Sequence, residues 1–95
     1  MNAINIEHNE TLIEQAIESE TPISFRYWKE DPAPGSELPA RRVVSPYEIR
    51  EGREGNLLLV CWSHGSEAVR FFNLDKIGGV QSEEGVEDFI FPVEA

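Results

Sequence analysis

The chain has little of what covalent chemistry uses. It carries one cysteine and two histidines in 95 residues, so no intrachain disulfide forms and no Cys/His set with zinc spacing exists. Cys61 lies inside an apolar run, where a thiol serves as a small buried hydrophobe. Neither a glycine-rich phosphate loop nor a nucleophile elbow is present. His64 and Glu67 share a turn but bring no further metal ligand. The paired carboxylates Glu30/Asp31, Glu83/Glu84 and Glu87/Asp88 fall in loop-like or terminal stretches where solvent keeps them ordinary acids. No catalysis, no metal and no cofactor are expected. The longest apolar run, Leu57 to Trp62, is far below the roughly 20 residues that cross a bilayer, and the polar N-terminus is unlike a secretory signal. A soluble, cytoplasmic protein with no membrane role is the expectation.

Positive charge is scarce as well. Eight Lys and Arg face 18 Asp and Glu, for a net charge of −10. Residues 1 to 25 hold five acids and no Lys or Arg, and so do residues 77 to 95. All eight bases therefore sit in the middle, where eight acids balance them. A protein that grips a duplex through many phosphates shows a broad basic face, so autonomous duplex DNA binding is not expected. A nucleotide or short single-stranded nucleic acid in a local basic pocket remains compatible with this distribution.

What the chain does have is the apolar content of one small domain, 40% of its residues. Leu12, Ile13, Ala16 and Ile17 have helical spacing. With Asn9 as N-cap they predict a helix over about residues 10–19. Pro22 then opens an extended run in which Ile23, Phe25 and Tyr27 share one face and Ser24, Arg26 and Trp28 the other. Residues 30–37 read as an exposed loop. A second strand begins near Leu38, with Pro46 marking an edge, a bulge or a kink. Gly52 to Gly55 is a tight connection, and Leu57 to Trp62 suits a strand covered on both faces. Ser63 to Glu67 turns back into a strand over Val69 to Leu74. Residues 75–80 combine a turn with a short extended piece, and the alternation Phe89/Phe91/Val93 predicts a last strand. The whole reads as a single domain over residues 1–95. It is mainly β with one N-terminal helix, a small SH3-like or Sm-like, partly open β barrel of about five strands over residues 22–92.

Two arginines stand out by their place on strands. Arg70 shares a face with Phe72 and Leu74, and Arg42 with Val44 and Pro46. A guanidinium among apolar side chains requires a carboxylate or an anionic ligand. Tyr27, Tyr47, Trp28 and Trp62 add aromatic surfaces on which a base can stack.

Four blocks in order resemble the WYL-domain family, named for a Trp-Tyr-Leu tripeptide. They are Ile23-Ser24-Phe25-Arg26-Tyr27, Arg42-Val43-Val44-Ser45-Pro46, Leu57 to Trp62, and Arg70-Phe71-Phe72-Asn73-Leu74-Asp75-Lys76-Ile77, the last being the most specific. The resemblance implies an Sm-like SH3 β barrel. It also implies kinship with bacterial transcription regulators, some of phage defence and DNA damage, in which the domain follows a winged helix or helix-turn-helix and binds nucleic-acid-derived ligands. By that resemblance Arg42 and Arg70 face the ligand, with Tyr27 nearby and Asn73 and Lys76 at the polar positions of the last block. This chain departs in three ways. Leu57-Leu58 stand where the family has Trp-Tyr, Asn73 stands where a base is usual, and residues 1–22 leave no room for a DNA-binding domain.

Two functions fit. In the first, a non-enzymatic sensor binds a nucleotide, oligonucleotide or other small anion through a local arginine pocket and acts through a protein partner. In the second, no ligand is involved, and the acidic ends engage a basic surface of a regulator or nuclease, as a phage- or defence-related competitor. A homodimer formed by edge-strand pairing is compatible with both.

Overall fold

The computed structural model describes residues 6–29 and 38–92. The expected loop at residues 30–37 and the strand position Val93 lie outside them. Among the described residues one helix, α1 (Ile6–Ser19), precedes five strands: β1 (Ile23–Tyr27), β2 (Arg41–Glu51), β3 (Leu57–Ser63), β4 (Ala68–Asn73) and β5 (Ile77–Ser82). A 3-10 turn, Leu74–Lys76, joins β4 to β5. The strands form one antiparallel sheet in the order β4-β3-β2-β1-β5. It is mainly β with a leading helix, as expected, and it is open: β4 and β5 are its two edges.

α1 begins four residues earlier than the capping signal predicts. Asn9 is not the cap. It lies inside the helix, buried, and its Nδ2 donates to the Ile77 carbonyl at 2.7 Å. That bond ties the helix to β5. Replacing Asn9 with Ala removes the donor and leaves a buried carbonyl short of a partner, which costs about 1–3 kcal/mol. The check is the urea midpoint of the variant, and an unchanged midpoint would count against the tie. At its other end the helix closes through Thr21 N–H to Ala16 O at 2.9 Å and Glu20 N–H to Ile17 O at 3.3 Å, with Glu20 at φ +53°. These are the bonds of a Schellman motif, here with glutamate in the left-handed position that glycine usually takes.

Strand alternation and register divide the sheet into two faces. Ile23, Phe25, Val44, Leu59, Cys61, Phe72 and Ile77 point toward α1, where Ile13 and Ala16 complete the buried core. Leu59, Val60 and Cys61 are all buried, so the middle of β3 is covered on both faces, as its unbroken apolar run predicts. Pro46 marks a bulge: Pro46 pairs with Cys61 and Glu48 with Val60, leaving Tyr47 as the extra residue.

Among the described residues the last strand is β5, not the C-terminal alternation. Gly79 explains why residues 77–82 can serve. Its φ of +63° favours glycine, and the Arg41 guanidinium comes within 3.3 Å of where a Cβ would stand. Residues 83–92, read from sequence as including a strand, instead run across the outer face as an irregular segment without ladder pairing.

Candidate functional site

Arg42 opens from the core face at the start of β2, opposite Phe25. Its guanidinium carbon stands 5.5 Å from the Phe72 ring centre and 5.7 Å from that of Tyr27. The two rings meet edge to face, 4.8 Å apart at 73°. Two aromatic rings therefore hold the guanidinium by cation–π attraction. The Tyr27 hydroxyl accepts the Asn73 backbone N–H at 3.2 Å, which fixes the ring.

Arg42 lines a cavity of about 390 Å³ together with Arg41, Val43, Ser63, His64, Gly65, Ser66 and Glu87. That volume lies within the range of small-ligand sites. Arg70 reaches the same turn from β4: its NH1 lies 3.4 Å from Ser66 Oγ. Neither Arg42 nor Arg70 forms an ion pair with a described acid. Arg42 thus shares a cavity with the Ser63–Ser66 turn, and Arg70 touches Ser66 without lining that cavity. Arg70, however, is exposed rather than seated among apolar groups. It shares the core face with Phe72, but at an edge strand beyond the reach of α1, where nothing covers it.

The other flagged residues fall elsewhere. Asn73 uses its side chain on Asn56, whose Nδ2 donates to Asn73 Oδ1. Lys76 accepts the Trp28 N–H at its carbonyl, 2.9 Å away. Neither lines the cavity. Sequence reasoning passed over Arg41. Its Nε donates to Ser24 Oγ at 3.0 Å and its NH2 to Ser24 O at 3.1 Å and to Gly79 O. The adjacency Arg41-Arg42 was the available signal.

A second polar cluster was also invisible in the sequence. Ser45 Oγ lies 2.8 Å from His64 Nε2, and His64 Nδ1 lies 3.5 Å from Glu87 Oε1. Ser45 also accepts the Ile90 N–H at 2.9 Å. The order Ser-His-Glu is that of a nucleophilic relay, yet Ser45 is wholly buried under the C-terminal segment. No substrate reaches its oxygen in this arrangement, which makes the cluster a clamp. His64 is occupied by Ser45 and Glu87 rather than by Glu67, and no group of three or more metal-ligating side chains occurs among the described residues.

The thiol of Cys61 is inert for a physical reason. Burial pushes it up to about 12, with the Arg70 charge pulling more weakly the other way. The folded chain keeps this proton where the unfolded chain, near its ordinary 9.0, gives it up. The contribution to stability is therefore whole below pH 9.0 and is lost as pH rises toward about 12. Tyr47 is raised as well, by burial first and by the Cys61 charge second, which adds in the same direction. Urea midpoints should fall through this alkaline window, at about 1.4 kcal/mol per pH unit for the cysteine. Cys61→Ala should flatten the slope, and a flat wild-type profile would contradict the account.

A further cavity of about 190 Å³, between α1 and β5, is lined by Leu12, Ala16, Ile23 and Val80 with Glu84 at its rim and no cation. Its polar lining, Gln15, Ser19, Thr21 and Ser82, brings no positive charge for an anion. The arginine cavity is the one that holds cations.

The WYL domain family model matches residues 8–82. This is most of the chain, and the protein belongs to the WYL domain family. Among solved structures, proteasome accessory factor B/C (PafBC) of Arthrobacter aurescens is similar, with a TM-score of 0.71 and 20% identity over 93% of this chain. The match spans 13% of the PafBC chain, so the likeness speaks for the fold of this one module. No curated protein matches the sequence significantly. Within the described residues no helix is long and apolar enough to cross a membrane.

Proposed function

We propose that this WYL domain is a regulatory, ligand-sensing module that binds a nucleotide, an oligonucleotide or another small anion at the arginine cavity and acts through a protein partner. The observation that carries this reading is the Arg42 guanidinium, held between Tyr27 and Phe72 beside the cavity with no described carboxylate neutralising it. A pre-oriented guanidinium loses little freedom on meeting a phosphate and offers it a bidentate edge. Arg41 lines the same cavity, Arg70 reaches the Ser66 hydroxyl at its edge, and the Ser63–Ser66 turn adds serine hydroxyls, so the phosphate is the fitting ligand group. Asn73 and Lys76 lie beyond Tyr27, toward the far end of β4. We assign them an accessory part for a ligand long enough to pass the Tyr27 ring, as an oligonucleotide is.

The acidic-module reading gains less from the structure. Two of the C-terminal acids are already used within the chain, Glu83 by Ser24 Oγ at 2.7 Å and Glu87 by His64. Intramolecular use leaves fewer charges for a basic partner.

The test is titration with short single-stranded DNA, RNA, cyclic nucleotides and inorganic pyrophosphate at two salt concentrations. Binding that weakens with salt and falls in Arg70→Ala is the expected result. Failure of every probe at low salt, or binding unchanged by Arg70→Ala, would sink the reading.

A further inference from the structure

After β5 the chain does not leave the sheet. Glu83 N–H donates to the Pro22 carbonyl at 2.8 Å, and a turn closes through Val86 N–H to Glu83 O at 3.0 Å and Glu87 N–H to Glu83 O at 3.1 Å. The segment then crosses the outer face from β1 toward β2 and the β3–β4 turn. Ser24 binds the Glu83 carboxylate, His64 faces Glu87, Ser45 accepts the Ile90 N–H, and the Tyr47 hydroxyl donates to the Ile90 carbonyl at 2.7 Å. Phe89 leans on Tyr47, ring centres 6.1 Å apart.

This strap is held by a few polar contacts rather than by apolar burial. Of its own apolar residues, Val86 is 73% exposed and Ile90 36%, while Phe89 is partly buried. Segments with few buried apolar contacts open at the low end of the stability range. Meanwhile Glu87 stands on the wall of the arginine cavity. The strap thus places a negative charge beside the groups proposed to bind an anion, and it hangs from hydrogen bonds that are easy to exchange for water.

We propose that residues 83–90 form a detachable acidic strap whose Glu87 carboxylate competes with an anionic ligand for the Arg41, Arg42 and His64 corner of the cavity. This rests on the reading of that cavity as an anion site. An incoming phosphate repels Glu87 and takes over the positive field, and the strap releases from His64. Ser45 and the Ile90 amide then lose their cover. Conversely, a strap docked on the sheet weakens the site. By linkage the coupling acts equally in both directions.

The experiment measures pyrophosphate and a fluorescein-labelled oligothymidylate binding to the full chain, to Glu87→Gln and to Ser45→Ala, with hydrogen exchange of the Ile90 amide followed in each. Glu87→Gln removes the competing charge from an exposed position, and Ser45→Ala loosens the strap without changing any charge. Binding should tighten about tenfold in Glu87→Gln and by a smaller factor in Ser45→Ala. Saturating ligand should speed Ile90 exchange in the wild type about tenfold as well. Binding that is equal in wild type and Glu87→Gln, with Ile90 exchange unmoved by ligand, overturns the strap's role while leaving the cavity reading intact. Absence of binding by all three chains overturns the cavity reading and the competition with it.

Discussion

Phe72→Ala is expected to lose about 3–5 kcal/mol of folding stability, the cost of emptying a buried aromatic site. Phe72 is 3% exposed and meets Phe25 edge to face at 5.2 Å and Tyr27 at 4.8 Å. Its removal opens the core between β1 and β4 and takes away one of the two rings that hold Arg42. Small domains have a total margin of about 5–15 kcal/mol, so the variant should be largely unfolded at modest urea concentrations. Urea denaturation followed by tryptophan fluorescence reads the effect, and a loss below about 1 kcal/mol would contradict the packing described. Phe72→Leu separates the two roles of the ring. It keeps most of the volume, costs less than about 1.5 kcal/mol, and still removes the aromatic face beside Arg42. A folded variant with weakened anion binding is the expected outcome.

Arg42→Ala should do the reverse, sparing the fold while removing binding. The side chain is half-buried and its cation–π contacts are worth about 0.5–1 kcal/mol at such a site. Its charge-assisted hydrogen bonds to a phosphate are worth about 1.5–3 kcal/mol, which corresponds to roughly 10- to 150-fold in affinity. Arg42→Lys retains the charge but neither the planar fork nor the stack, so it should fall between wild type and alanine. Equal affinity across the three chains would remove Arg42 from the site. The salt dependence adds a check, since loss of one phosphate contact lowers the slope of log affinity against log salt by about 0.7 for a single strand.

Much of the fold was legible because apolar periodicity reports burial. Ile13 and Ala16 gave the helix face, Leu59 to Cys61 the strand covered on both sides, and Pro46 the bulge. The failures have physical causes. Asn9 carries a capping signal, but a buried carbonyl on β5 uses its amide instead. Residues 75–80 read as a turn with a short extended piece, and the extended piece is β5, where Gly79 takes a φ of +63°. Phe89 and Phe91 alternate like strand residues, yet they meet edge to face and Phe89 meets Tyr47 the same way, along an unpaired segment.

The site divides the same way. Arg42 and Tyr27 were legible from the block pattern and do come together. Arg70 was legible as a residue but not as an exposed one, since alternation gives a face and not the distance to the helix that covers it. Asn73 and Lys76 belong to the same block and sit away from the cavity. Arg41 lies one residue from Arg42, on the opposite face by alternation, yet both line one cavity at the start of β2. The Ser45–His64–Glu87 clamp joins a strand, a hairpin turn and an irregular segment, and no local spacing announces such a contact.

The central claim is that an anion binds at the Arg42 corner of the sheet. Amide chemical shifts of the isotope-labelled chain, recorded while a short oligothymidylate is added, test it most directly. The largest changes should fall on Arg42, Val43, Gly65 and Ser66 and vanish in Arg42→Ala. Changes confined to Gln15, Ser19 and Val80, at the groove between α1 and β5, or no changes at low salt, would contradict it.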